Sequence, residues 1–324
     1  MAGNALHDAA PTERDRRAEA AVAVFGTWML IGLFLDGWAH QASKPETFFS
    51  PWHLLLYSGF VAAVAWFGWD GRRAGAASPG DRWMTAGLVM FITGAVGDGI
   101  WHEVFGVEVD LEALLSPTHL LLVIGGFLMV TLPVRLSFAD EGDNAAHLTW
   151  SAIWPQVVTL TLATSVIGFF TMYLSAFTDE PVAATAQMSE SLQALGVAKV
   201  LVTNALLVVP AVLALRRWAL PAGALLVLWT AVSVALSGLD GFHTGELMVA
   251  PIGGAVVFEV LRPRVPLIAA AAGASLAFWS TYVAVVAATS ALAWAVELWA
   301  GAIVLATASS ALVVTVLGPP VPRR

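Results

Sequence analysis

The chain contains no cysteine. That excludes a disulfide framework and every thiolate metal site, so any metal must be held by histidine, carboxylate or backbone oxygen. Charge is also scarce: 12% of the 324 residues are Asp, Glu, Lys or Arg, against 58% hydrophobic, and the mean hydropathy is +0.78. A soluble domain has no room to hide so much apolar surface, and this composition is that of a bilayer protein. No Pro/Gly/Ser-rich linker or low-complexity block interrupts the sequence. A single transmembrane domain over 19–316 is therefore expected, with a disordered cytoplasmic N-terminus over 1–18 and a cytoplasmic tail over 317–324. The first apolar run follows a polar leader and carries Asp36 and His40 at its far end, which reads as a retained helix and not a cleaved signal.

What the chain has in abundance is long apolar runs. About 20 such residues cross a bilayer as a helix, and runs of that kind fall near 19–41, 51–69, 83–104, 117–137, 152–176, 193–215, 220–239, 248–262, 266–289 and 292–316. The expected fold is all-α, a polytopic transmembrane bundle of about ten spans. Basic residues set the orientation, because Lys and Arg collect on the cytoplasmic side of short loops. Arg14, Arg16, Arg17, Arg72, Arg73, Arg82, Arg135, Arg216, Arg217, Arg262, Arg264, Arg323 and Arg324 all fall on one side if both termini are cytoplasmic; Lys44 and Lys199 do not. The opposite loops carry Glu46, Glu103, Glu108, Asp110, Glu112, Asp179, Glu180, Glu190 and Glu246. A vestibule of that sign concentrates cations.

The polar residues inside the spans repeat. The first span ends Asp36-Gly37-Trp38-Ala39-His40 and the third ends Asp98-Gly99-Ile100-Trp101-His102, both D-G-x-x-H. The spans that follow open with Glu46…Ser50-Pro51-Trp52-His53-Leu54-Leu55-Leu56 and Glu112…Ser116-Pro117-Thr118-His119-Leu120-Leu121-Leu122, both E-x-x-x-S-P-x-H-L-L-L. A weaker third copy runs from Asp240-Gly241-Phe242-His243 through Glu246 to Pro251, with Ala250 in place of Ser and Gly253 in place of the second His. Repeated helical hairpins are therefore expected from spans 1–2 and 3–4, with a degenerate one from spans 7–8.

Within each hairpin the spacing has a local logic. Asp and His four apart share one helix face, and Ser-Pro is a helix start with Ser at the N-cap and Pro at the first helical position. Each hairpin should thus bring a third ligand, the His of the opening helix, to the Asp/His end of the closing one. Of seven histidines, His7 and His147 fall in cytoplasmic segments, whereas His40, His53, His102, His119 and His243 fall at the outer ends of spans. Carboxylates inside a membrane are costly and mark function. The expected metal ligands are Asp36, His40, His53, Asp98, His102, His119 and His243, with Glu46, Glu112, Asp240 and Glu246 supporting them or adding a further donor. Two imidazoles and a carboxylate suit copper, zinc or non-haem iron, and three protein ligands leave a position open.

Asp36-x3-His40-x12-His53, with Ser-Pro before the last His, resembles the metal-binding stretch of one membrane component of the copper membrane monooxygenases, the particulate methane and ammonia monooxygenases. There a Thr-Pro-Ser-His segment opens the following helix. Asp98, His102 and His119 are similar to the second site of that component, where the family has Asn at the position of Asp98 and a shorter interval to the last His. The resemblance spans about residues 30–125. It implies a copper centre near the outer face that activates oxygen to oxidise a small apolar substrate, or that handles copper for an enzyme that does so.

Read from the residues alone, a zinc-dependent intramembrane hydrolase and a metal or proton transporter stay open beside it. The implied partners are the lipid bilayer, further membrane subunits or a second copy of the chain, and a small apolar substrate. No nucleic-acid partner is expected. Lys199 and Glu297, each inside the outer end of its span, are placed for an ion pair, and Trp38, Trp52 and Trp101 to wall the site.

Overall fold

In the computed structural model the described residues are 13–45, 47, 49–74, 81–106, 110–139, 148–178, 180–182 and 189–317. Their regular structure is helical throughout, with no strand. Seven helices are long and apolar enough to cross a membrane, and an eighth span results if one bent pair is counted as a single crossing. The chain divides into two compact units, residues 1–143 with 151–166, and 144–150 with 167–324.

The first unit holds α1 (Glu13–Gln41), α2 (Pro51–Ala74), α3 (Asp81–Phe105), α4 (Asp110–Leu115), α5 (Pro117–Val130), α6 (Leu132–Ala139) and the early part of α7 (Trp150–Phe170). α1 begins at Glu13, ahead of the boundary expected at 19, because its first turn is tied down. Glu13 pairs with Arg16 and Arg17 at helical spacing, and Arg14 reaches Asp70 near the end of α2 at 2.8 Å. The span expected at 117–137 is broken: α5 and α6 meet at 52° around Thr131. Pro133 supplies the cause, since its ring excludes the preceding turn's carbonyl and it offers no N–H.

The antiparallel pairs α1/α2 and α3/α5 are the main contacts of this unit, and α1 also meets α5. The core is Val22, Met29, Phe60, Ala63, Met84, Phe91, Met129 and Leu132, with Phe60 stacked on Phe91 at 4.5 Å. Two glycines let the pairs close. A Cβ on Gly32 would lie 2.5 Å from the backbone nitrogen of Leu56, and one on Gly94 would lie 2.9 Å from that of Leu122. Small residues at such crossings let backbones approach where no hydrophobic effect drives helices together.

The second unit holds the later part of α7, α8 (Glu190–Arg217), α9 (Ala224–Leu239), α10 (Val249–Leu261), α11 (Leu267–Thr289) and α12 (Val296–Leu317). α9 and α10, with 16 and 13 residues, are shorter than a full crossing requires. Glu259 and Arg262 fasten the start of α9. Glu259 accepts the Leu225 N–H at 2.9 Å and pairs with Arg262 at 2.8 Å, while Arg262 donates to the carbonyls of Leu220 and Pro221.

α8, α11 and α12 converge on the buried amide of Asn204. Its nitrogen donates towards the Ala306 carbonyl and the hydroxyls of Ser309 and Ser310, and its oxygen accepts from Ser275 and the Trp279 indole. Replacing Asn204 by Leu would orphan the Trp279 N–H in an apolar setting. A loss of about 2 kcal/mol is expected, read as an earlier unfolding midpoint in detergent. Lys199, one turn before Thr203 on α8, is buried, and Glu297 at the start of α12 is exposed.

Candidate metal centre

Six of the seven expected ligands come together in two triplets of the first unit. In each, one carboxylate oxygen and two imidazole nitrogens lie within 4.8 Å of one another: Asp36, His40 and His53 in one, Asp98, His102 and His119 in the other. Metal–ligand bonds of roughly 2.0–2.2 Å put tetrahedral donors about 3.4 Å apart, so modest rotamer adjustment closes either set on an ion.

In the first triplet, Asp36 and His40 sit one turn apart on α1, and His53 is the third residue of α2. Asp36 Oδ1 lies 2.8 Å from His53 Nε2 and 3.8 Å from His40 Nε2. The other ring nitrogen of His53, Nδ1, lies 3.0 Å from the Thr47 carbonyl oxygen. A carbonyl only accepts, so the His53 proton is on Nδ1 and, in the neutral ring, Nε2 turns a lone pair towards the carboxylate. A protonated ring would donate Nε2–H to the carboxylate, whereas a neutral ring sets two acceptors 2.8 Å apart, an arrangement that a bound cation would satisfy. Asp36 Oδ1 is buried, with the two imidazole nitrogens as its close polar neighbours.

The second triplet is built on the same plan. Asp98 and His102 sit one turn apart on α3, and His119 is the third residue of α5. His102 Nε2 lies 3.3 Å from Asp98 Oδ2, and His119 Nε2 lies 3.1 Å from Asp98 Oδ1. α3 ends in a left-handed glycine, Gly106 at φ 84°, whose carbonyl comes within 3.3 Å of His102 Nδ1. At the start of α5, Ser116 caps the helix by accepting the His119 backbone N–H.

The hydroxyls there have a single consistent polarity. Thr118 donates to Asp98 Oδ1 at 3.0 Å, so its oxygen accepts from Ser116 at 3.2 Å, and Ser116 accepts from His119 Nδ1 at 2.9 Å. His53, His102 and His119 therefore each give their Nδ1 proton to a neighbour and present Nε2 to a carboxylate. Metal-ligating histidines are held in this way, their tautomer fixed by an oxygen behind the ring. The residues present thus fit a divalent first-row ion.

The triplets adjoin. His40 is within electrostatic reach of His102 and His119, and Tyr57, one turn beyond His53 with its ring 6.2 Å away, is within reach of both Asp36 and Asp98. They differ in what holds the third histidine, the Thr47 carbonyl for His53 and the Ser116 hydroxyl for His119, and in the residue before it. Asp98 Oδ1 receives the Thr118 hydroxyl, whereas at the corresponding place in the first hairpin stands Trp52, whose indole nitrogen is buried without an acceptor.

The remaining expectations fare differently. His243 belongs to the second unit, whereas both triplets are built in the first. In the third copy the Asp-to-His interval is one residue shorter, α9 ends at Leu239, and Gly241 and Phe242 both take positive φ. Asp240 and His243 therefore sit in a turn and not on one helix face, and with Gly253 absent as a ligand no donor set assembles there among the described residues. His243 and Glu246 are exposed, as is Glu112 on α4, which stands outside both triplets. Glu46, His7 and His147 lie outside the described residues. Of the expected walls, Trp38 lies under the Lys44 ammonium and Trp101 packs on Phe105.

Sequence reading passed over Gly32 and Gly94. Each stands four residues before the aspartate, so the repeat is G-x-x-x-D-G-x-x-H, and each lies against the backbone of the leucine three residues after the histidine. Thr118 was missed as well, since nothing in the sequence marks a threonine as a carboxylate's partner. Comparison of the chain with protein-family models, curated proteins and solved structures finds no match.

Proposed function

We propose that this chain is an integral membrane metalloprotein that binds copper at its two Asp/His/His centres. The observation that carries the reading is the donor geometry: in each centre one carboxylate oxygen and two imidazole nitrogens lie within 4.8 Å of one another, and three of the imidazoles have an oxygen behind the ring at Nδ1 that leaves Nε2 facing the carboxylate. Among ions that accept nitrogen and oxygen donors, copper binds most tightly, and the resemblance to the copper membrane monooxygenases points the same way. The function that follows is oxygen-dependent oxidation of a small apolar molecule, or the handling of copper for an enzyme that performs it.

Copper would supply one-electron redox chemistry and an open coordination position. The chain itself contributes the rest. Asp36 and Asp98 offset the ion's charge, Thr47, Gly106 and Ser116 fix the imidazole tautomers, and the Gly32 and Gly94 crossings hold each histidine against its aspartate. Metal analysis of the purified protein together with oxygen uptake tests the reading. Copper at two equivalents with copper-dependent uptake is the expected result; bound zinc with lipid hydrolysis, or ion flux in liposomes without turnover, would replace it.

In the same reading ten spans place both termini in the cytoplasm of a cell-membrane protein, the two hairpins are related by an axis along the membrane normal, and His53 and His119 share one depth outside the bilayer centre. The absence of native cysteine makes the orientation directly measurable. Ser43 is exposed, and an added side chain at exposed Gly71 meets open space. In intact cells a membrane-impermeant maleimide is expected to label Ser43→Cys and to spare Gly71→Cys. The reverse pattern would invert the topology.

A further inference from the structure

We infer that the Asp36 centre is the one that takes an external ligand, a small monoanion, and that Trp52 holds that ligand through its indole N–H. The inference rests on the metal reading above and adds a division of labour between the two centres.

The argument starts from corresponding positions. Ser50-Pro51-Trp52-His53 in the first hairpin stands where Ser116-Pro117-Thr118-His119 stands in the second. Thr118, the residue before the histidine, reaches across to its partner helix and donates to Asp98 Oδ1. Trp52 has the same register on α2, whose main packing partner is α1. Its indole nitrogen is enclosed by protein and has no acceptor. An indole N–H only donates, and a buried donor without an acceptor is costly. The first hairpin thus carries a buried donor without an acceptor where the second has a completed hydrogen bond.

Charge then selects the ligand. A divalent ion with one carboxylate and two neutral imidazoles keeps one positive charge, which the apolar surroundings disfavour. A monoanion at the open position neutralises it and offers the acceptor that the indole lacks. At the second centre the Thr118 hydroxyl is already donated to Asp98 and the Ser116 hydroxyl to Thr118, so no comparable donor faces an incoming ligand.

Azide on copper(II)-loaded protein is a suitable probe, because its charge-transfer band reports binding at the ion. The measurement is made in an H102A background, which leaves the Asp36 centre alone. Trp52→Phe is expected to bind copper as before and azide about tenfold more weakly, as befits loss of one hydrogen bond to a charged group. In protein with Trp52 intact, electron–nuclear double resonance of the azide complex should show an exchangeable proton near the azide that disappears in D2O. Unchanged azide affinity in Trp52→Phe, absence of that proton, or loss of copper together with azide would overturn the inference while leaving the metal reading in place. Protein with Trp52 intact that binds no metal would contradict the metal reading itself, and the inference with it.

Discussion

Replacing Asp98 by Ala is expected to remove one of two copper equivalents, weakening the affected centre at least 100-fold and leaving the other within about twofold, and Asp36→Ala to do the reciprocal. Asp98 is the sole anionic donor of its triplet and touches both imidazoles, one through each oxygen. Without it the ion would face two neutral rings in an apolar setting, and the Thr118 hydroxyl, which now donates to Asp98, would lose its acceptor. Outer partners of metal ligands alone are worth roughly 10–100-fold in affinity, so the anionic ligand itself is expected to exceed that. Asp98→Asn keeps the shape and the hydrogen bond from Thr118 but not the charge, and is expected to fall between. Isothermal titration of metal-stripped protein measures all three. Both equivalents surviving in Asp98→Ala would show that the triplet is a polar network and not a metal site.

The second large effect comes from a residue that touches no metal. Gly32→Ala is expected to weaken copper at the Asp36 centre by more than tenfold, leave the Asp98 centre unaffected, and lower stability by about 1–3 kcal/mol, the usual range for overpacking. The added methyl would lie 2.5 Å from the Leu56 nitrogen and 2.7 Å from its Cα. Both are backbone atoms, so α1 and α2 must separate. Asp36 is one turn beyond Gly32, and His53 is one turn before Leu56. The separation therefore opens the 2.8 Å contact between them. Gly94→Ala tests the corresponding crossing, where the clash is with the Leu122 nitrogen at 2.9 Å and the affected centre is that of Asp98. A Gly32→Ala protein with both affinities unchanged would mean that the crossing does not set the ligand spacing.

The two triplets were legible in the sequence because helical geometry alone aligns Asp with a His four residues on, and because Ser-Pro fixes where the next helix starts. The seam that holds them was written there too, in the glycine four residues before each aspartate, but glycine is common in membrane helices and signals nothing until its neighbour is known. The third copy departs from the other two for a physical reason. Its residues resemble the others in type, yet a one-residue-shorter interval and two left-handed positions turn the chain where the others continue as helix. The break at Thr131 was foreshadowed by Pro133, which the hydropathy of the run concealed. The Asn204 network and the Glu259 clasp were not legible, because partners separated by dozens of residues are chosen by packing, and an apolar helix does not advertise which face meets which neighbour.

The most direct test of the central claim is copper titration of metal-stripped protein, comparing the unaltered chain with the His40→Ala/His102→Ala double variant. Each substitution removes one ligand from one triplet and leaves the Gly32 and Gly94 crossings untouched. The account predicts two tight equivalents for the unaltered chain and none for the double variant, with helix content preserved by circular dichroism. Two equivalents retained by the folded double variant, or no first-row ion bound by the unaltered chain, would contradict it.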